Sequence, residues 1–149
     1  MSFAFFVLRV LAGALFIVTG FTKLIEPHQN FLAVIHSYKV VSGNAATAAA
    51  IALPWAELIL GVFLLKGLWI RFSAAALWAM NSVFFMVVAS AIWRKLPIED
   101  CGCFGEAGFS LSLRQVLGLD AVLWVVLGIL FIGVSKASIL IMDRFFEWK

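Results

Sequence analysis

The stretch FAFFVLRVLAGALFIVTGFTKL, residues 3–24, is mostly apolar and carries a single charge in its interior, Arg9. A helix of about 20 such residues is long enough to cross roughly 30 Å of membrane hydrocarbon. The rest of the chain has the same character, because 64% of its 149 residues are hydrophobic and 13% are charged. Soluble domains contain about 45–50% apolar residues. We therefore predict an integral membrane protein whose first helix is retained, since no positive charge precedes the apolar run as in a signal peptide.

Three further stretches are long and apolar enough to be membrane spans. They cover residues 45–65, 68–93 and 112–134, and the tight turn Lys66-Gly67 separates the first two of them. Ser112 and Gln115 match a capping box at the start of the last span, in which Ser112 caps the helix and Gln115 reaches back. Together with residues 3–24, these stretches predict a bundle of four transmembrane helices.

Two other segments are too short or too polar to cross a membrane. Residues 31–38, after Pro27, predict a short interfacial helix with Tyr38 near the lipid headgroups. The tail from residue 136 to 149 alternates apolar and charged side chains, which indicates an amphipathic segment. The predicted fold is thus all-α: a single membrane domain over residues 1–149, made of a four-helix bundle, an interfacial helix and an amphipathic tail.

The polar loop of residues 94–111 contains both cysteines of the chain, in the sequence Glu99-Asp100-Cys101-Gly102-Cys103-Phe104-Gly105-Glu106. Two thiols separated by one glycine can close a small, strained disulfide ring, and strained disulfides exchange readily with other thiols. Gly102 supplies the unusual backbone angles that so tight a ring requires. We therefore predict that Cys101 and Cys103 are the catalytic residues of a thiol–disulfide oxidoreductase.

Three alternatives remain open for this pair of cysteines. Cysteines in membrane proteins are often small apolar fillers, although the acidic and polar surroundings disfavour that interpretation here. Two thiolates also suit linear coordination of Cu(I) or Hg(II), which would make the chain a soft-metal binding or transport protein. The third alternative is a non-catalytic assembly subunit that recruits a periplasmic redox system through the loop.

Arg9, Glu57, Asn81 and Asp120 lie well inside the predicted spans, where ionisable groups are costly and are usually paired or functional. At about 1.5 Å per residue, Arg9 and Glu57 both fall roughly 10–12 Å from the side of the termini, so we predict an ion pair between them. Asn81 and Asp120 both fall near mid-membrane, within hydrogen-bond reach if their helices are neighbours. These four residues either fix the packing of the helices or line a cavity for the headgroup of a quinone, the cofactor we expect.

The composition argues against several other kinds of site. The net charge is only +3 and the basic residues are dispersed, so we expect no nucleic-acid partner. His28 and His36 are too far from the cysteines to form a four-ligand zinc site by spacing, and no metal site is predicted. The chain has no motif for flavin, haem or nicotinamide, so the membrane electron carrier that we expect is a quinone.

A set of residues distributed along the chain matches the pattern of a known family: Arg9, Gly13, Gly20-Phe21-Thr22-Lys23, Pro27, Pro54-Trp55-Ala56-Glu57, Gly61, Cys101-Gly102-Cys103-Phe104-Gly105 and Asp120. On these residues, the chain resembles the methylamine-utilisation MauE proteins of the wider DoxX-like superfamily as far as about Val134. The resemblance implies a four-helix membrane bundle linked to thiol–disulfide chemistry outside the cytoplasm, often beside thioredoxin-like proteins. MauE itself is associated with the maturation of a disulfide-rich periplasmic dehydrogenase.

We therefore predict a membrane thiol–disulfide oxidoreductase that exchanges electrons with a thioredoxin-like protein and with a quinone. An even number of spans places both termini on one side of the membrane and the Cys-Gly-Cys loop on the other. Lys and Arg number six on the side of the termini and five on the side of the loop, a small bias toward cytoplasmic termini. Disulfides persist outside the cytoplasm. We expect a multi-pass protein of a bacterial-type inner membrane whose loop faces the periplasm.

Overall fold

Every secondary-structure element in the described part of the chain, residues 3–96 and 112–137 of a computed structural model, is an α-helix. The prediction of an all-α fold with four membrane helices is confirmed, because all the helices except the second are long and apolar enough to cross a membrane. The tail predicted from residue 136 onward lies almost entirely outside the described residues. The helices are α1 (Phe3–Ile25), α2 (His28–Ser37), α3 (Asn44–Lys66), α4 (Ile70–Trp93) and α5 (Leu113–Ala137).

Helices α1 and α3 pack antiparallel through glycines that bring their backbones together. A Cβ atom added at Gly20 would lie 2.8 Å from the backbone nitrogen of Leu58 and 2.9 Å from the carbonyl oxygen of Pro54. A Cβ atom added at Gly13 would lie 3.0 Å from the backbone nitrogen of Leu65. Small residues at such contacts let membrane helices approach closely. The resulting register places the end of α1 beside the middle of α3.

Replacing Gly20 by Ala is expected to destabilise the protein, because the new methyl group meets backbone atoms of α3 that cannot rotate away. Overpacking of this kind costs about 1–3 kcal/mol. Thermal unfolding of the purified protein in detergent measures the loss. Gly118→Ala in α5 is the matched control, because a Cβ atom there meets nothing within 4 Å. Equal melting temperatures for the two variants would contradict the close contact between α1 and α3.

Helices α4 and α5 form a second closely packed pair, which shares a core of leucines and aromatic rings. The centroid of the Trp78 ring lies 5.2 Å from that of Trp124 and 6.2 Å from that of Phe131. Trp124 also donates a hydrogen bond from Nε1 to the Oγ of Ser82, at 3.0 Å. These contacts hold α5 alongside α4, so that residues near the middle of the two helices face each other.

The ends of two helices follow local signals in the sequence. Helix α3 ends at Lys66 and is capped by Gly67, whose φ of 80° is in the left-handed region. The N–H groups of Gly67 and Leu68 donate to carbonyl groups of the preceding turn. Helix α5 begins after Ser112, whose backbone N–H donates to Oε1 of Gln115 at 3.0 Å. The predicted tight turn and the predicted contact of Gln115 with Ser112 are confirmed. The Ser112 hydroxyl donates to the same oxygen of Gln115, at 3.2 Å.

The short helix α2 begins after Pro27, three residues earlier than predicted, and its C-terminal end packs against the bundle. Tyr38, which follows α2, is buried in a cluster with residues from the end of α4 and the start of α5. Arg94, which follows α4, donates from Nη1 to the backbone oxygen of Tyr38 at 3.2 Å. The end of α2 is therefore attached to the end of the bundle from which the Cys-Gly-Cys loop emerges.

Candidate functional site

A buried ion pair joins the last turns of α1 to the middle of α3. The Nζ of Lys23 lies 2.8 and 2.9 Å from the two carboxylate oxygens of Glu57. The two side chains are only 5% and 13% exposed. The ammonium group also lies over the ring of Phe31, 4.9 Å from its centroid. Because each charge would be costly alone in a membrane span, the pairing is what allows both residues to be buried.

Glu57 therefore does not pair with Arg9, and that prediction from helical depth is wrong. The reason is that side chains lean toward the N-terminus of their helix. Lys23 leans back to the level of Gly20, where α3 brings Glu57 into close contact. Arg9 leans in the same direction and hence away from Glu57, so that its guanidinium group lies against Gly67 in the turn between α3 and α4.

The surroundings of Arg9 separate it from the other three residues that the sequence singles out. Its Cζ lies 5.3 Å from the centroid of the Phe6 ring. The residue is 7% exposed, and its Nε has no hydrogen-bond partner within the described residues. Glu57, Asn81 and Asp120, in contrast, all line one cavity to which Arg9 does not contribute.

Asn81 of α4 and Asp120 of α5 meet inside the bundle, as predicted. The Nδ2 of Asn81 donates to the backbone oxygen of Asp120 at 3.0 Å. This bond does not use the carboxyl group of Asp120, a residue that is only 6% exposed. Within residues 3–96 and 112–137, the Oδ2 atom of Asp120 has no hydrogen-bond partner. A buried acceptor without a partner costs free energy, so this atom is suited to receive a proton or a hydrogen bond from a ligand.

A cavity of about 540 Å³ lies beside Asp120 and is lined by residues of all five helices. Most of its wall is apolar, with Leu15, Phe84 and Leu119 among the contributors. Its size falls within the range of small-molecule sites, which are usually apolar with a few placed polar groups. The arrangement suits a molecule with an apolar body and a small polar part. Among the described residues, the polar lining consists of Thr19, Lys23, Tyr38, Glu57, Asn81 and Asp120.

Tyr38 forms the wall of the cavity next to α2. The residue is 4% exposed, and its ring meets that of Phe84 edge-on, with 6.4 Å between the centroids. Burial, and to a lesser degree the charge of Asp120, raises the pKa of Tyr38 to about 12. The phenol is therefore neutral at physiological pH, and it presents a hydroxyl group rather than a charge at this wall.

The residues on either side of the Cys-Gly-Cys loop pack against residues that line this cavity. Leu96, before the loop, and Leu113, after it, pack against a buried cluster that includes Tyr38 and Val116. Tyr38 and Val116 also line the cavity. Cys101 follows Leu96 by five positions in the chain, and both cysteines lie outside the described residues.

Three polar residues of the cavity are not identified by hydropathy and spacing: Thr19, Lys23 and Tyr38. From the sequence, Lys23 is expected at the membrane surface because it is near the end of a span, and Tyr38 is expected near the lipid headgroups. The signal that would have found Lys23 is its position inside the predicted first span, residues 3–24, because a side chain near the C-terminal end of a helix leans back along that helix. Since the helix continues to Ile25, the side chain of Lys23 leans back into the bundle.

A comparison with models of protein families identifies the family of the chain. The family model described as Methylamine utilisation protein MauE matches residues 1–135 of the chain. No curated protein and no solved structure matches the chain significantly. The matched part includes the ion pair of Lys23 and Glu57, Asp120 and the Cys-Gly-Cys loop. The chain, a multi-pass membrane protein by its four apolar helices, therefore belongs to the MauE family, whose description connects it with methylamine utilisation.

Proposed function

We propose that the chain is a membrane thiol–disulfide oxidoreductase. Cys101 and Cys103 alternate between dithiol and disulfide and exchange electrons with a thioredoxin-like protein at the extracytoplasmic face. A quinone of the membrane is the second redox partner. The observation that carries the proposal is that Leu96 and Leu113, on either side of the loop holding both cysteines, pack against a cluster whose Tyr38 and Val116 line a mostly apolar cavity within the bundle. This packing supports a role for the loop in connecting a protein partner outside the membrane with a carrier inside it.

Disulfide exchange needs one thiolate that attacks and a second thiol that resolves the mixed disulfide. Cys103 is the better candidate for the attacking sulfur, because Asp100 lies directly beside Cys101 and opposes its ionisation. In the direction toward the partner, Cys103 attacks a partner sulfur and the partner's S–S bond breaks. Cys101 then displaces the partner from the mixed disulfide. Two electrons leave this chain, whose thiols become a disulfide, and the partner becomes a dithiol; the reverse sequence returns the electrons.

The sidedness that this function requires is a loop outside the cytoplasm and termini within it. Disulfides persist in the periplasm, whereas the cytoplasm keeps thiols reduced. The small excess of Lys and Arg on the side of the termini supports the same orientation. Within a family connected with methylamine utilisation, the task that fits is the oxidative maturation of a disulfide-rich periplasmic dehydrogenase.

Labelling in intact cells tests the orientation and the disulfide together. A membrane-impermeant maleimide is expected to modify the cysteines in intact cells, and to a greater extent after mild reduction. Trp69→Cys in a Cys101→Ser/Cys103→Ser background is the control, because Trp69 is 74% exposed in the turn between α3 and α4, on the side of the termini. That control is expected to react only in opened cells.

Two results of this labelling would contradict the proposal. Cysteines that are always reduced and react only in opened cells would place the pair in the cytoplasm. Cysteines that become reactive after a chelator, and not after a reductant, would indicate a soft-metal site with the pair as its ligands.

A further inference from the structure

Within the described residues, the Asp120 carboxyl group is the one polar group of the cavity lining that has a buried atom without a hydrogen-bond partner. The residue is 94% buried, since its exposed fraction is 6%, and its Oδ2 atom has no hydrogen-bond partner there. Asn81 contacts the backbone of Asp120 and not its carboxyl group. An isolated carboxylate is strongly disfavoured in a membrane interior. Burial of Asp120 is therefore favourable only if its carboxyl group binds a proton, a cation or a hydrogen-bond donor on the side that faces the cavity.

The other charged groups at the cavity do not supply this partner. Lys23 of α1 holds both carboxylate oxygens of Glu57 of α3, at 2.8 and 2.9 Å. The charges of Lys23 and Glu57 cancel each other. The net charge of the three side chains is therefore the charge of Asp120, which belongs to α5. The remaining titratable side chain of the lining within the described residues is Tyr38 at the end of α2, and α4 contributes the uncharged Asn81. One proton on Asp120 makes the whole group neutral.

A ligand that changes its hydrogen-bonding with its redox state matches a carboxyl group in this setting. The carbonyl oxygen of a quinone accepts a hydrogen bond from a protonated carboxyl group, and the hydroxyl of the corresponding hydroquinone donates to a carboxylate. A single proton moved between Asp120 and the ring oxygen therefore keeps the contact satisfied in both states. The apolar wall, with Leu15, Phe84 and Leu119, suits the ring substituents and the start of an isoprenoid chain.

Two other ligands fit less well. The phosphate of a phospholipid would bring a negative charge beside Asp120 and Glu57, which would repel it. A small ammonium ion would pair with the carboxylate, but it would leave most of the 540 Å³ of apolar space unfilled. We propose that this cavity binds the ring of a membrane quinone and that Asp120 exchanges a proton with one of the ring oxygens. The inference rests on the proposed function, because it takes the quinone as the membrane carrier of that function.

The overall reaction balances with this assignment. Cys101 and Cys103 as a dithiol and one quinone give a disulfide and one hydroquinone. Two S–H bonds break, one S–S bond forms and two O–H bonds form, so that two electrons and two protons move from the sulfurs to the ring. Asp120 delivers a proton to one oxygen and is reloaded with a proton released by the thiols. In the opposite direction every step reverses.

Binding measurements on the full chain test the inference without relying on turnover. The Cys101→Ser/Cys103→Ser double variant, in nanodiscs of phosphatidylcholine, keeps the ring from reacting with thiols. Calorimetry under anaerobic conditions gives the affinities of decylubiquinone and of its hydroquinone between pH 5 and pH 9. We expect the ratio of hydroquinone affinity to quinone affinity to rise about tenfold as pH rises, because the carboxylate accepts from the hydroquinone and the acid donates to the quinone.

Two substitutions of Asp120 separate binding from proton exchange. Asp120→Asn is expected to keep both affinities within about threefold, since an amide can donate and accept, but to make their ratio independent of pH. Asp120→Leu is expected to lower both affinities about tenfold, because the ring oxygen loses its partner. Asp143→Asn removes the same charge outside the residues matched by the family model, and it is expected to change neither affinity.

Several outcomes would overturn the assignment. A ratio that does not vary with pH in the parent protein, or affinities that Asp120→Leu leaves unchanged, would remove Asp120 from the site. Displacement of the quinone by methylammonium, at concentrations below those at which the quinone itself binds, would make the cavity an ammonium site. If thiol exchange with a partner is found without quinone binding, only this inference fails; if the quinone binds and no thiol exchange is found, the proposed function fails.

Discussion

Replacing Cys101 or Cys103 by Ser is expected to reduce disulfide exchange with a thioredoxin-like protein to the background rate. Loss of a nucleophile in other enzymes lowers turnover by factors of about 10³ or more, and a serine hydroxyl cannot form the mixed disulfide. The measurement is the rate of oxidation or reduction of a periplasmic thioredoxin-like protein by the purified membrane protein. Ser110→Ala is the matched control, because it changes a residue of the same loop and keeps both cysteines.

The two single variants are expected to differ in the complexes that they trap. Cys101→Ser retains the attacking Cys103 and lacks the resolving thiol, so a mixed disulfide with the partner should accumulate on a non-reducing gel. Cys103→Ser should trap less of this species. A complex that survives the loss of both sulfurs would favour an assembly subunit instead. Full activity in both variants would exclude the thiol mechanism.

Breaking the ion pair of Lys23 and Glu57 is expected to cause the largest loss of stability available from a single polar substitution in the bundle. Glu57→Gln leaves the ammonium of Lys23 buried without a counter-charge, where its side chain is 5% exposed. Removing one partner of a buried pair typically costs about 3–5 kcal/mol. Lys23→Met leaves the carboxylate of Glu57 in the same position and is expected to be about as harmful. Thermal unfolding in detergent and the yield of folded protein report the effect.

The double variant distinguishes the ion pair from a general sensitivity of this region. Lys23→Met combined with Glu57→Leu removes both charges, and replacing a buried pair by apolar residues is often neutral or stabilising. The double variant should therefore recover most of the stability that either single variant loses. If the stability loss of the double variant equals the sum of the losses of the two single variants, the two side chains do not interact. Lys66→Met is the control, because Lys66 is exposed at the end of α3 and such a change should stay within about 0.5 kcal/mol.

The membrane helices could be predicted well from the sequence because the thickness of the bilayer fixes their length. The predicted first span, residues 3–24, and the observed α1, Phe3–Ile25, differ by one residue. Local signals were equally informative where one residue decides the structure, as at Gly67, which ends α3 with a left-handed conformation. The neighbouring positions of Asn81 and Asp120 also followed from depth along the helices, since both residues lie near the middle of adjacent spans.

The partners of the buried charges could not be predicted in the same way, because depth along a helix locates a Cα atom and not the end of a long side chain. A lysine or arginine side chain extends by several ångströms, and its direction depends on the helix that carries it. This is why Glu57 meets Lys23 and why Arg9 lies against Gly67 instead. The burial of Tyr38 was also missed, because it depends on how α2 packs on the bundle, which hydropathy does not encode.

The link between Lys23 and Glu57 also bears on how the protein is made. A charge at the centre of a helix opposes insertion by the translocon by about 2.5–3.5 kcal/mol. Glu57 lies near the centre of α3, and its counter-charge, Lys23, lies in the last turn of α1. The two residues are 34 positions apart, with only the ten residues of α2 and their flanking turns between the helices. The free-energy cost of insertion is therefore lower if α1 and α3 enter the lipid as one hairpin, with the ion pair already formed. We therefore expect α1 and α3 to enter the membrane together as one hairpin rather than one after the other as independent segments.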